Sequence, residues 1–339
     1  MYRVAIVNSK SFGVRFPEHI ERLKALAEVE RIEVPRDISG RELAEKLRGF
    51  QFVVASVTPF YSREFFEENK DVLLIARHGI GVDNVDLAAA TESGVLITRV
   101  PGYREREAVA ELTVALTLAA VRKVCQACKA VREGRWRDRG SFVGFELRGR
   151  TVGIIGLGNI GSRVAEIFSK GFGAKVIAYD PYVSDEWARR YCAEPVDLDT
   201  LLRESDIITL HAPLTPETRH MIGRRELEEV KEGVVIINTA RGELIDTSAL
   251  VEALKAGKVG AVALDVVENE PIGADHPLLK FDNVIVTPHI GSYTLEGLKA
   301  MGDSVIEAIL AVIEGRVPEG LINPEVLERG TRAKVKRGE

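Results

Sequence analysis

Residues 151–161 read TVGIIGLGNIG. An apolar, β-branched run, Thr151 to Ile155, leads straight into Gly156-Leu157-Gly158-Asn159-Ile160-Gly161, and a helical pattern, SRVAEIFSKGFG, follows. A G-x-G-x-x-G hexapeptide alone often marks no more than a turn. Here it lies between a strand and a helix, and a second strand, KVIAYD, ends in Asp180 about 20 residues on, which is the dinucleotide-binding arrangement. Gly156 allows the tight turn, Gly158 lets the backbone approach a pyrophosphate, and Gly161 lets the helix pack close to the strand. The first N–H groups of that helix and its dipole favour phosphate. The Asp180 carboxylate suits a ribose 2′-hydroxyl and repels a 2′-phosphate, so NAD is expected over NADP.

The segments around this unit repeat its pattern. From Arg150 onward, KVIAYD, DIITLHAPL, VVIINTARG, VGAVALDV and NVIVTPHIG alternate with helical stretches. The first hundred residues do the same with RVAIVN, RIEVP, FVVAS, VLLIA and VLIT, and Ser39 reads as the N-cap of the SGRELAEKLRG helix. Serial βα units give parallel sheets covered on both faces, an α/β class with two Rossmann-like domains. The first half has no glycine-rich phosphate loop. A helical pattern from Thr294 to Glu314 follows the last strand and is expected to return to the first domain. The expected organisation is therefore a discontinuous substrate domain (1–102 with 293–325), an NAD-binding domain (103–292) and a basic, disordered tail (326–339).

At 339 residues, 45% hydrophobic and 29% charged, the chain has room for two full cores and the profile of a globular protein. No apolar run approaches the ~20 residues of a membrane span, and MYRVAIVNS carries no signal-peptide signature, so the cytoplasm is the default. A net charge of −5 with interspersed signs argues against nucleic acid as a partner. Glutamine occurs only at Gln51 and Gln126, a depletion of thermolabile amides that suggests a heat-adapted source. Cys125 and Cys128 form a lone CQAC. A redox pair normally opens a helix, whereas this one reads as lying late in a helix from Glu105 to about Val131. With no second pair, zinc is not expected.

Three stretches place charged or titratable residues after later strands: NTARGELID (Arg241), LDVVENEP (Asp265, Glu270) and TPHIGS (His289). In open α/β sheets ligands bind beyond the carboxyl ends of the strands. Arginine's planar fork matches the carboxylate of a 2-oxo acid. Reduction of its carbonyl needs a proton donor, which His289 can be, with Glu270 stabilising the charged imidazole. Pro288 and Gly291 read as the turn that aims the ring. Taken singly, Arg241 could be a surface turn, Glu270 a solvated charge and His289 a core histidine. Their joint placement on a dinucleotide fold favours chemistry. His211 is expected to pack beside NAD. His78 lies on a glycine-rich loop, and His19, His220 and His276 read as exposed.

Together GLGNIG, INTARGELID, ALDVVENEP and TPHIGS resemble the D-isomer-specific 2-hydroxyacid dehydrogenase family, and the likeness runs from RHGIGVDNVDL to INPEVL. The resemblance implies an NAD-dependent enzyme acting on a small 2-oxo or 2-hydroxy acid. It implies a homodimer built through the long helix, and a catalytic set at Arg241, Glu270 and His289. Implied cofactor contacts fall on Gly156, Gly158, Asn159, Ile160, Gly161, Asp180, His211, Ala212, Pro213 and Thr218. Thr239, Ala240, Arg241, Asp265, His289, Gly291 and Ser292 complete them, Asp265 meeting the nicotinamide amide. Backbone N–H groups of Ile80 and Gly81, with Arg241, are the implied substrate grip.

PGYREREAVAE departs from the family pattern, being charged and one residue longer. Arg104 or Arg106 either reads a second anion on the substrate, such as a phosphate, or decorates a helix N-terminus. The chain ends soon after INPEVL, so the regulatory domain of some phosphoglycerate dehydrogenases is not expected. Candidate activities are glyoxylate or hydroxypyruvate reduction and D-3-phosphoglycerate oxidation. Formate dehydrogenase, which pairs its histidine with glutamine, is disfavoured by Glu270. An NADH-sensing corepressor keeps the same Arg–Glu–His set and is the alternative from another class.

Overall fold

The computed structural model describes residues 1–336; the final three residues of the basic tail lie outside the described residues. The chain forms two compact units, Met1–Glu105 with Ser292 onward, and Arg106–Gly291. The crossings fall at 105/106 and 291/292, against 102/103 and 292/293 from the sequence.

The first unit opens with β1 (Arg3–Val7), α1 (Glu18–Lys24), β2 (Glu28–Ile32), α2 (Gly40–Lys46), β3 (Phe52–Ala55), α3 (Arg63–Glu68), β4 (Leu74–Arg77), α4 (Leu87–Glu92) and β5 (Leu96–Thr98). The strands pair in parallel in the order β2-β1-β3-β4-β5, the flavodoxin-like order. Side chains alternate across this sheet: Ala5 and Val7 join one apolar cluster, Val4 and Ile6 the other. Strand β2 starts at Glu28 rather than Arg31, because an edge strand tolerates the charged residues that hide it from a hydrophobicity reading. Ser39 forms the expected cap as a reciprocal capping box with Glu42, a motif that contributes about 1 kcal/mol.

Helix α5 (Gly102–Val121) starts in the first unit and runs into the second, which holds α6 (Val124–Arg132), β6 (Thr151–Ile155), α7 (Asn159–Glu166), β7 (Lys175–Tyr179), α8 (Asp185–Arg190), β8 (Glu194–Pro195) and α9 (Leu198–Glu204). The second unit continues with β9 (Ile207–Leu210), α10 (Arg224–Glu229), β10 (Val234–Asn238), α11 (Thr247–Lys255), β11 (Val259–Leu264) and β12 (Val284–Val286). The sheet order is β12-β11-β10-β9-β6-β7-β8, all parallel. The order reverses between β6 and β9, so the carboxyl ends of β6, β9, β10, β11 and β12 share one edge at the switch point.

The long helix predicted from Glu105 to Val131 is in fact two helices. Lys123 adopts a left-handed φ of 52° between α5 and α6, and Gly144 packs against the Val121 carbonyl so closely that a Cβ there would lie 2.0 Å from the oxygen. The chain turns at Lys123, which no local residue signals. CQAC consequently sits in the first turns of α6, not late in a helix, and both thiols are free and exposed.

The chain then returns to the first unit as α12 (Leu295–Ile313), capped by Thr294, whose Val305, Ile306, Ile309 and Val312 close one face of the five-stranded sheet. A last turn of helix, α13 (Val326–Arg329), follows. The tail as far as Lys336 is not the disordered end expected from its charge. Arg332 donates to the carbonyls of Phe66 and Asn69, Ala333 is buried, and Lys336 N–H bonds the Gly315 carbonyl. Its basic side chain finds backbone acceptors left after α3, which composition alone does not show.

Candidate active site

Strand β6 delivers the glycine-rich turn. Gly156 has φ +90°, and a Cβ there would lie 2.6 Å from Ala212 N. A Cβ on Gly161 would meet the Gly156 carbonyl at 2.0 Å, so this residue sets how closely α7 approaches the turn. Gly158 is the N-cap of α7, has no side-chain cap, and a Cβ there would meet nothing within 4 Å. Asp180, after β7, accepts from Leu157 N–H (2.8 Å) and Tyr182 N–H (2.9 Å). It borders a cavity of about 540 Å³ walled by Leu157, Val183, Pro195 and Val196, with Asp185 and Asp197 also on its lining. An uncapped helix start, a glycine open to solvent and an apolar slot edged by a carboxylate fit a dinucleotide's pyrophosphate and adenosine.

At the end of β12, His289 takes a left-handed φ of 54°. Its N–H bonds Asp265 O at 2.9 Å and Thr287 O at 3.0 Å. The turn is thus made by the histidine itself rather than by Gly291, whose φ is not left-handed. Gly291 sits close to the Asp265 carboxylate: a Cβ there would lie a tight 3.2 Å from it. Asp265, only 1% exposed, binds Thr287 Oγ1 at 2.6 Å and the N–H groups of Ile290 (2.9 Å) and Gly291 (2.7 Å). In this structure it anchors the loop that carries His289.

The His289 ring is half exposed, and its Nδ1 lies 2.8 Å from Glu270 Oε2. An ionised carboxylate only accepts, so Nδ1 carries the hydrogen and Nε2 is free for proton exchange. Glu270 Oε1 accepts from Val267 N–H at 2.8 Å. Burial opposes ionisation of Glu270, but the His289 bond and charge, the Val267 N–H and Arg241 together hold its carboxyl below the usual range. Arg241 follows β10 on an Asx-type turn: buried Asn238 accepts from Ala240 N–H (3.0 Å) and donates to Arg241 O (2.7 Å). The second unit therefore brings Arg241, Glu270 and His289 to one sheet edge.

Other expected residues fall as follows. His211, after β9, bonds Thr209 Oγ1 at 3.0 Å, and burial pushes its pKa down to about 3; it stays neutral, which suits packing rather than proton transfer. Ala212 lies against Gly156, and Thr218 Oγ1 closes the next turn on Pro213 O at 2.7 Å. Thr239 Oγ1 pairs with Thr113 at 2.9 Å, and Asn159 and Ile160 open α7. Ile80 and Gly81 sit in the first unit's loop after β4, whose His78 carbonyl accepts from Arg77 Nη1 at 2.5 Å. Ser292 belongs to the first unit and gives its hydroxyl to Glu105.

Arg104 is engaged structurally, with Glu307 at 2.8 Å, Glu319 at 2.9 Å and Ser304 at 3.1 Å. Arg106 pairs with Glu107, which also binds Arg163. The three histidines read as exposed are all engaged. His19 is 2% exposed beneath Gly302, and its spacing of four from buried Leu23 placed it on the inner face of α1. His220 pairs with Glu268 at 2.6 Å, a contact between distant loops that carries no sequence signal. His276 caps a 3-10 turn by accepting from Leu278 N–H. Among the described residues no cluster of three or more His, Cys, Asp or Glu is arranged to hold a metal.

Residues 114–291 match the family described as D-isomer specific 2-hydroxyacid dehydrogenase, NAD binding domain. The chain is 44% identical to D-3-phosphoglycerate dehydrogenase of Methanocaldococcus jannaschii over 308 residues, 91% of this chain but 58% of that one. It is 39% identical over 320 residues to glyoxylate reductase of Thermococcus litoralis, covering 92% of this chain and 96% of that one. The solved D-lactate dehydrogenase of Aquifex aeolicus, complexed with NAD and lactic acid, superposes with a TM-score of 0.81 at 30% identity, covering 96% of this chain and 97% of that one. The chain belongs to the D-isomer specific 2-hydroxyacid dehydrogenase family and carries its NAD-binding domain. It spans little more than half the length of the phosphoglycerate dehydrogenase it matches.

Proposed function

We propose that the protein interconverts a small 2-oxo acid and its D-2-hydroxy acid, with NAD as the redox partner. The observation that carries this reading is the His289–Glu270 pair at 2.8 Å on the same sheet edge as Arg241. Bound NADH supplies the hydride. The chain's own residues supply the rest. Arg241 receives the substrate carboxylate. Protonated His289 gives its Nε2 hydrogen to the carbonyl oxygen as charge develops there, while Glu270 stabilises the imidazolium through Nδ1. In oxidation, neutral Nε2 takes the hydroxyl proton. Asp265 is the proposed contact for the nicotinamide amide and, with Gly291, the anchor of the histidine loop.

Glyoxylate is the proposed substrate. The full-length match to a glyoxylate reductase supports it, and so does the engagement of Arg104 with Glu307 and Glu319, which leaves it occupied within its own unit. A panel of glyoxylate, hydroxypyruvate, pyruvate and 3-phosphohydroxypyruvate, followed by NADH absorbance, is expected to give the highest kcat/KM with glyoxylate. A clear preference for the phosphorylated acid refutes that choice. No turnover of any member favours an NADH-sensing role.

NAD preference is expected to rest on more than Asp180. Asp180→Asn keeps an acceptor for Leu157 N–H while removing the charge, and should narrow the NADH-over-NADPH ratio of kcat/KM by about 10-fold. Asp185 and Asp197 remain on the cavity lining, so the preference should not invert; a ratio unchanged from wild type refutes the assignment. A second copy of the chain is the proposed partner, covering exposed Val124, Val131, Trp136 and Val143. Among the described residues no helix is long and apolar enough to cross a membrane; a cytoplasmic, heat-adapted enzyme is the accompanying proposal.

A further inference from the structure

The loop that follows β11 carries two glutamates with opposite destinations. Asn269, between Glu268 and Glu270, has a left-handed φ of 60°, which sends the two carboxylates apart. Glu270 reaches His289. Glu268 turns back: its Oε1 lies 2.6 Å from His220 Nε2, and its Oε2 accepts from Thr247 N–H at 2.9 Å. Thr247 is the first residue of α11, in the segment that follows Arg241, and His220 comes from the segment after β9. One carboxylate thus ties together the segments beyond β9, β10 and β11.

The surroundings give this tie a defined geometry. His220 itself holds a left-handed φ of 54°, and its N–H donates to Glu243 O at 2.8 Å. Burial works against ionisation of Glu268, but the bonds from Thr247 and His220 outweigh it and keep the carboxyl below its usual range. Gly242, next to Arg241, lies directly under the Val267–Glu268 peptide, where a Cβ would sit 2.1 Å from Val267 C. The backbone two residues before Glu270 is therefore seated on the backbone that presents Arg241. A displacement of Glu268 moves the support of Glu270 and Arg241 together.

We propose that His220 and Glu268 form a positioning pair, which holds the 265–271 loop so that Glu270 meets His289 Nδ1 beside Arg241. The pair touches no reacting atom in this scheme; it acts through Glu270. The inference rests on the proposed dehydrogenase reading for its kinetic consequences, but not for its structural one.

Three variants test it: Glu268→Ala, Glu268→Gln and His220→Ala. Loss of the tie should lower kcat for 2-oxo acid reduction by about 10- to 100-fold in Glu268→Ala, because an ångström of misplacement costs on that order. His220→Ala should lose less, since Thr247 still holds Glu268. Glu268→Gln should recover most of the rate, because its amide oxygen can accept from Thr247 N–H. The limb of the pH–rate profile along which reduction falls as pH rises should move to lower pH in Glu268→Ala, as Glu270 no longer steadies the imidazolium. A merely structural role predicts fewer NADH-binding molecules with an unmoved profile, and that result overturns the proposal.

Imidazole ¹⁵N spectra give a readout independent of turnover. His289 should show a single Nδ1–H tautomer in the wild type and a mixture in Glu268→Ala. If no 2-oxo acid is reduced yet the tautomer shifts, the functional reading fails and the positioning pair stands. An unchanged tautomer with unchanged kinetics overturns the pair.

Discussion

His289→Ala is expected to lower kcat for 2-oxo acid reduction by about 10³-fold, within the range for loss of a general acid, while NADH binding stays close to wild type. The structure explains why the effect should be confined to the chemical step. The His289 backbone is held by Asp265 O and Thr287 O, and the neighbouring N–H groups by the Asp265 carboxylate, so loss of a half-exposed ring leaves the loop anchored. Stopped-flow NADH oxidation and NADH fluorescence titration measure the two halves separately. A variant that keeps kcat within threefold of wild type would remove His289 from the proton path and leave the fold assignment untouched.

Arg241→Lys should reduce kcat/KM by about 10²-fold or more, expressed mainly in KM, as expected when a bidentate carboxylate partner becomes a point charge. The Arg241 backbone is fixed on both sides. Asn238 closes the turn before it, and Gly242 after it lies against the Val267–Glu268 peptide. A lysine there inherits the position but not the fork. It also changes the electrostatics of Glu270, whose ionised form Arg241 supports, so a smaller loss in kcat should accompany the loss in capture. Steady-state kinetics with glyoxylate decide this, and an unchanged kcat/KM would refute the role. An equal fall in kcat and kcat/KM would instead place Arg241 in the transition state alone.

Much of this was legible in the residues. GLGNIG between a strand and a helix, with Asp180 at the end of the next strand, is a local pattern, and local patterns survive folding: Gly156 makes the tight turn and Gly161 the close approach of helix to turn. The parallel sheets followed from apolar strand runs, because a strand buried on both faces has no polar side to show. Edge strand β2, buried on fewer sides, was misplaced for the same reason. Arg241, Glu270 and His289 could be proposed together because each follows a strand, and strand ends meet at a sheet edge whatever the loops do.

What lay beyond the sequence depends on contacts between segments far apart in the chain. The turn that aims the ring was read from Pro288 and Gly291, but the left-handed residue is His289, with the Asp265 backbone and carboxylate holding the peptides around it. The break at Lys123 stands beside Gly144, packed on Val121 O, and the docked tail comes from Arg332 meeting carbonyls near α3. His220 looks like any exposed loop histidine until the fold sets it against Glu268, 48 residues away. By itself the sequence determined the two Rossmann-like folds and the dinucleotide turn and supplied the proposed catalytic groups, because these rest on backbone propensity and on strand order. Only the tertiary structure decided how those groups are aimed, because aim is set by buried hydrogen bonds and close backbone approaches that no local pattern encodes.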